Sequence, residues 1–283
     1  MRIRAGSERG VATKWLVLVI ILTLLSVVVP FFIWHSTWFG TPLSSAQMTR
    51  YLEQRNHPQE TQHALSQIAD RIIRGDKSVA RWYPDVARLS TSAVPQIRET
   101  VAWVMGQDNT SPLFHQTLLE MLRDPDPLVR MNAALALVRF HDTSGHAIIL
   151  QMLAGRPLLA PESGQLKRLA NVGESLSTNS IVARIITEHG TIEVPAGQPG
   201  SLSQWVAADG ATVTEGQPIA GIAPTSEMVW QALRALYLIG EPSDLNVIAP
   251  YARGVPGMPP QVAQQARLTM DEIRSRADNH PNE

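Results

Sequence analysis

The sequence predicts a mainly α-helical protein: one transmembrane helix, then a stack of paired helices broken once by a small all-β insertion. Three observations predict this class. Residues 15–34 form a run of twenty residues without a charge. A proline-led amphipathic helix pattern recurs, with copies spaced by 32 and 34 residues and one gap of 99. Inside the long gap the helical period gives way to short β-prone pieces punctuated by glycine.

The chain has 283 residues, enough for one large domain or two modest ones. A net charge of −1 argues against a nucleic-acid partner. The absence of cysteine excludes disulfides, thiolate metal sites, thiol catalysis and c-type haem attachment.

The apolar run comes first. At ~1.5 Å per residue it reaches ~30 Å, the thickness of a bilayer core. Tryptophans stand at both ends, Trp15 on one side and Trp34 and Trp38 on the other. Arg2, Arg4, Arg9 and Lys14 precede it, and no further Lys or Arg follows before Arg50. The expectation is a cytoplasmic basic tail over residues 1–14 and an uncleaved signal anchor over 15–38. The protein would sit in the cytoplasmic (inner) membrane by a single pass, with its C-terminal domain extracytoplasmic or periplasmic.

Helical repeats are expected over residues 41–154 and again over 225–276, with a tail from 277 to 283. In the best copy Asp126 caps a helix opened by Pro127, and Val129, Ala133, Ala136, Leu137 and Phe140 share one face. Pro95, Ile97, Arg98 and Ala102 repeat Pro127, Val129, Arg130 and Ala134. Ala232, Leu233, Ala235 and Leu236 supply a third copy, and Pro260, Val262, Ala266 and Leu268 a fourth. Antiparallel helix pairs stacked at one period form an α-solenoid.

The run Asp126-Pro-Leu-Val-Arg130 followed by Ala133, Ala134 and Leu137 resembles HEAT repeats, particularly the short bacterial type. The resemblance implies a ladder in which Arg98 and Arg130 bond to the neighbouring turn, with Asp124 and Asp126 as acceptors. Trp230 is read as replacing the arginine in the third copy and Ala263 in the fourth, so the ladder would end toward the C-terminus.

Residues 155–179 read as a connector rich in Pro, Gly, Ser, Leu and Asn, and residues 180–224 as the β insertion. Val194-Pro-Ala-Gly197, Gly200, Asp209-Gly-Ala-Thr-Val213 and Gly216-Gln-Pro-Ile219 resemble half of a biotinyl/lipoyl domain, a barrel-sandwich motif also found in export-system adaptors. Only one half is evident. Carrier versions hold their cofactor on a hairpin lysine, and no lysine follows Lys167, so covalent biotin or lipoate is not expected. The insertion falls between the two helices of one repeat, and solenoid insertions emerge on one edge.

No chemistry is legible. The eight histidines show no metal-ligand spacing, and phosphate-loop, His-Glu-x-x-His and Gly-x-Ser-x-Gly motifs are absent. No cofactor, metal or catalytic residue is expected, and the protein reads as no enzyme. Arg81, Trp82, Tyr83, Trp103 and Trp205 are the candidate partner-binding residues, since Trp, Tyr and Arg dominate interface hot spots. The expected function is a non-catalytic, membrane-anchored scaffold that binds proteins in or near the membrane. The alternatives are an accessory subunit of an envelope export complex of ABC or membrane-fusion type, and a ligand-binding receptor or enzyme with an unrecognised site.

Overall fold

The computed structural model describes residues 42–54 and 57–279. The expected anchor over residues 15–38 lies outside the described residues. Among those described, no helix is long and apolar enough to cross a membrane. The longest, Pro260–Asn279, carries Arg267, Asp271, Glu272, Arg274, Arg276 and Asp278, charges that a bilayer core excludes. The expected fold class with its transmembrane helix and the expected inner-membrane location are both corrected on this ground.

The chain divides into two units, at residues 67 and 68. The first contains helix α1 (Ser45–Glu53) and most of α2 (Pro58–Ile73). Ser44 and Gln47 form a reciprocal capping box at the start of α1. The Thr61 hydroxyl, almost fully buried, donates to the Tyr51 carbonyl at 3.0 Å and so ties α2 to the end of α1.

The second unit holds the repeats. A 3₁₀ turn (Lys77–Trp82) leads into α3 (Tyr83–Arg88), then α4 (Pro95–Met105), α5 (Pro112–Met121), α6 (Pro127–Val138) and α7 (His146–Gln151). After the β insertion come α8 (Ser226–Ile239), α9 (Leu245–Arg253) and α10 (Pro260–Asn279). Proline opens α4, α5, α6 and α10, where a missing N–H costs no helix bond. Ser111, Asp126 and Thr225 cap α5, α6 and α8 with side-chain oxygens. Helices α4, α6, α8 and α10 form one layer, α4 on α6, α6 on α8 and α8 on α10; in the other layer α3 packs on α5. Ala134, Ala232 and Leu233, all fully buried, join α6 and α8 into one core with Ala266 of α10, so the repeat stack resumes beyond the insertion.

The insertion is larger than expected. The 155–179 stretch is no connector: it forms β1 (Arg156–Leu159), β2 (Gly164–Arg168) and β3 (Ser175–Leu176). With β4 (Ile181–Thr187), β5 (Gly190–Pro195), β6 (Gly200–Trp205), β7 (Thr212–Val213) and β8 (Pro218–Ala223) it makes two four-stranded sheets, ordered β1-β8-β6-β3 and β5-β4-β2-β7. All pairings are antiparallel.

These two sheets are copies of one another. Replacing β1, β2, β3 and β4 by β5, β6, β7 and β8, and the reverse, converts one strand order into the other. The hydrogen bonds obey the same exchange. Ala160 N–H donates to Gln217 and Ala196 N–H to Ser180; Gly173 donates to Leu202 and Gly210 to Leu166. The steric demands match too. A Cβ on Gly164 would lie 2.5 Å from the Ile186 carbonyl oxygen, and one on Gly200 would lie 2.6 Å from that of Ala223. A bulge between Leu202 and Gln204 gives the second half one extra residue. Two equivalent halves therefore stand where the sequence shows one glycine-punctuated pattern. Each half alone exposes an apolar face, and together they bury Leu166, Ile185, Leu202 and Ile222 in a shared core.

Candidate functional site

Helices α4, α6 and α8 turn their non-core faces to a common groove of about 420 Å³. Alanine and glycine let them come this close. A Cβ on Gly106, just after α4, would lie 2.9 Å from the Ala136 Cβ. On α8 the core takes Val229, Ala232, Leu233 and Leu236, which leaves Glu227, Trp230, Gln231, Arg234 and Leu238 on the opposite face at helical spacing. Trp103 reaches the groove from α4, 45% exposed, and Leu238 from the far end of α8, 55% exposed. Trp230 is half-buried between them.

The groove is basic. Arg139 and Arg234 line it, and among the described residues neither has an ion pair. Its one carboxylate, Glu227, accepts a 2.6 Å hydrogen bond from Gln231 Nε2. Two indoles and two unpaired guanidiniums beside apolar side chains suit a protein segment that carries a bulky apolar residue and carboxylates.

Residues 116–144 match the HEAT repeat family. That span covers the second half of α5, all of α6 and the turn into α7. No curated protein matches the chain. The matched HEAT repeat supplies the α6 wall of the groove, and such repeats are protein-interaction surfaces.

The expected ladder residues meet in a single turn network beside the groove helices. Arg98, its side chain 10% exposed, grips Asp124, 7% exposed, through two bonds of 2.7 and 2.8 Å and donates a third to the Ser92 carbonyl. Asp124 also accepts the Asp126 N–H at 2.8 Å. Asp126 caps α6 at Leu128 N–H rather than serving an arginine. Arg130 bonds the carbonyls of Asp124 and Pro125 at 2.6 and 2.9 Å. The bond to Asp124 pushes the Arg98 guanidinium pKa up. Burial works to raise the Asp124 carboxyl, but its hydrogen bonds from Arg98 and Asp126 outweigh this and hold it below the usual carboxylate range.

Counted from the shared alanines, the Arg130 position falls on Val229, which is fully buried. The reading of Trp230 as the arginine's replacement is therefore one residue out of register, and that residue places Trp230 in the groove. The helical face of α8 was the available signal.

A second ladder, not anticipated, joins the odd-numbered helices. The Tyr83 hydroxyl donates to Asp108 at 2.7 Å, His115 Nε2 to Asp142 at 2.7 Å, and His146 Nε2 to Asp244 at 2.8 Å. The last rung spans the insertion, and Asp244 is only 2% exposed. Burial and the Asp108 carboxylate both push the Tyr83 hydroxyl pKa up. These histidines are structural rungs, and among the described residues no cluster of His, Asp and Glu could hold a metal.

The other candidates are dispersed. Trp82 is buried under the Arg81 guanidinium, 4.0 Å from its ring centroid. Tyr83 rests on Phe114 with centroids 4.2 Å apart. Trp205 lies in the β module, where the Arg168 guanidinium stands 5.0 Å from its ring. Its indole N–H donates to the Ala170 carbonyl and Arg168 donates to that of Ala207, positions exchanged by the internal twofold. Of the five, only Trp103 lines the groove.

Proposed function

We propose that this chain is a protein-interaction scaffold whose groove along α4, α6 and α8 binds an extended acidic segment of a partner protein. The observation that carries the reading is the pairing of Trp103 and Trp230 with the unpaired Arg139 and Arg234. It acts by binding and not by catalysis. In support, the low-pKa carboxylates Asp108, Asp124 and Asp142 are each occupied in bonds that fasten one repeat to the next.

The β insertion is, on this reading, a non-carrying module of the biotinyl/lipoyl type. Its twofold strand exchange supports this, and its single lysine, Lys167, lies within β2 and not at a hairpin tip. The export-adaptor alternative is not favoured. Such adaptors separate their two halves by a long α-hairpin, whereas here Glu188 and His189 alone join β4 to β5.

The test is fluorescence anisotropy with labelled twelve-residue peptides, each with a central Phe or Leu flanked by Asp and Glu, beside versions with Lys in place of the acids. Acidic peptides should bind in the micromolar range and weaken as salt rises. Trp230→Ala and the double change Arg139→Glu/Arg234→Glu should each cost tenfold or more, about 1.4 kcal/mol. Equal binding of acidic and basic peptides, or variants that bind like the parent, would overturn the proposal.

A further inference from the structure

A second cavity, of about 260 Å³, lies where the repeats meet the β module. Its walls come from both sides. Arg130 and Met131 of α6 and Met228 of α8 face Arg156 of β1, Gln198 and Ile222 of β8. The described lining contains two guanidiniums and no carboxylate.

Neither guanidinium is saturated. A guanidinium has five N–H donors. Arg130 uses only Nη1, on two carbonyls, and the nearby Asp124 carboxylate is already taken by the fork of Arg98. Arg156 spends one nitrogen, Nη2, on the Ala196 carbonyl. Among the described residues neither has an ion pair. Burial without a counter-charge pushes the Arg156 pKa down. A half-buried cation that faces a cavity with spare donors is relieved by an anion brought from outside.

We propose that this cavity binds a small organic oxyanion, a carboxylate or phosphate monoester on a short apolar body. The charge sits between Arg130 and Arg156, and the body lies against Met131, Met228 and Ile222. The volume is that of roughly nine waters at ~30 Å³ each, which suits a ligand of about ten heavy atoms. Because one arginine belongs to the repeats and the other to the module, the ligand clamps the two together. Occupancy therefore stabilises the junction by mass action.

The experiment uses the full chain with methyl-labelled methionine and three probes: benzoate, phenyl phosphate and inorganic phosphate. Benzyl alcohol is the uncharged control. The expected result is saturable movement of the Met131 and Met228 methyl resonances with benzoate or phenyl phosphate, with Met48 and Met270 unmoved. Benzoate as the tighter probe identifies a carboxylate source, and phenyl phosphate a phosphate ester. Inorganic phosphate should bind at least tenfold more weakly than phenyl phosphate, since it leaves the apolar wall uncovered. Thermal denaturation should shift upward by several degrees at a hundredfold excess over Kd. Arg156→Gln and Arg130→Gln should each weaken binding tenfold or more, and Arg139→Gln, in the other groove, should not. The proposal fails if the Met131 and Met228 methyls of the unaltered protein stay still at 10 mM of both organic probes, or if benzyl alcohol moves them equally. The unaltered protein decides the matter even if an arginine variant misfolds.

Discussion

Removing one member of the Arg98–Asp124 pair should destabilise the protein far more than removing both. Arg98→Met deletes two bonds to Asp124 and one to the Ser92 carbonyl. It leaves the Asp124 carboxylate, 7% exposed, with only the Asp126 N–H as a donor. Breaking a buried pair from one side costs ~3–5 kcal/mol, because a charge stays desolvated without its partner. At roughly 2–4 °C per kcal/mol for a domain of this size, the melting temperature should fall by about 6–20 °C. Asp124→Leu strands the guanidinium in the same way. In the double variant no charge remains. What is lost is the bond to Ser92 and the one to the Asp126 N–H, each worth ~1 kcal/mol. The double variant should therefore melt above either single one, with a coupling of at least ~2 kcal/mol. Urea unfolding of the four proteins, followed by circular dichroism, measures the cycle. Singles within ~0.5 kcal/mol of the parent, or strictly additive effects, would refute the view that this pair locks α4 to the turn before α6.

Gly145→Ala should cost ~2 kcal/mol or more in the same assay, because its Cβ would sit 2.6 Å from the Ala134 Cβ and 2.7 Å from its Cα. Asp126→Ala removes the α6 cap and should cost ~1 kcal/mol, with Asp126→Asn nearly neutral. The carboxyls of Asp108, Asp124 and Asp142 are held below the usual range, so between their folded values and ~3.9 the unfolded chain binds more protons. Their contribution is present above about pH 4 and is lost as pH falls through the folded values; melting temperatures from pH 5 to pH 2 should drop, and less steeply for Asp142→Asn. Arg156 and Ile222 are antiparallel partners, so the β module enters and leaves at one point. Replacing residues 156–222 by a short linker, which removes Arg156 and Ile222 from the cavity wall, should leave the helical circular dichroism signal and acidic-peptide binding intact, but abolish binding of the organic anions.

The repeat was legible because its physics is local. Pro127 and the Asp126 cap act within one turn, and the alanine face of α6 follows from a period any helix must have. The odd-layer ladder was not legible, because its rungs join residues 25, 27 and 98 apart. A signal for its first two rungs existed in the triplets Asp108-Asn-Thr110 and Asp142-Thr-Ser144, where each leading aspartate accepts the N–H two residues on. An aspartate held by its own turn keeps one oxygen for the neighbouring helix, which is how a local motif becomes a rung. The groove was half legible: Trp103 was singled out, but a one-residue slip across the long gap assigned Trp230 to a structural role.

The β module shows why its first half was hidden. Glycine positions carry its turns in both halves: Gly173 and Gly210 both have positive φ, at 88° and 75°. In the second half they are joined by the regular pattern Gly210-Ala-Thr-Val213-Thr-Glu-Gly216. In the first half Asn179 stands at the position of Gly216, and the pattern breaks. Burial nonetheless follows the exchange, with Leu166 matched by Leu202 and Val182 by Ile219, each 1% exposed or less. The fold thus tolerates loss of a turn glycine but not loss of an inward apolar residue, since the turn faces solvent while each inward side chain is a wall for the opposite half. A duplicated sandwich is better sought by its buried alternation than by its glycines. Arg168 and Trp205 stand at exchanged positions, and residues so related meet near the twofold, so each is the other's environment: a cation stacks on a ring, 5.0 Å from its centroid.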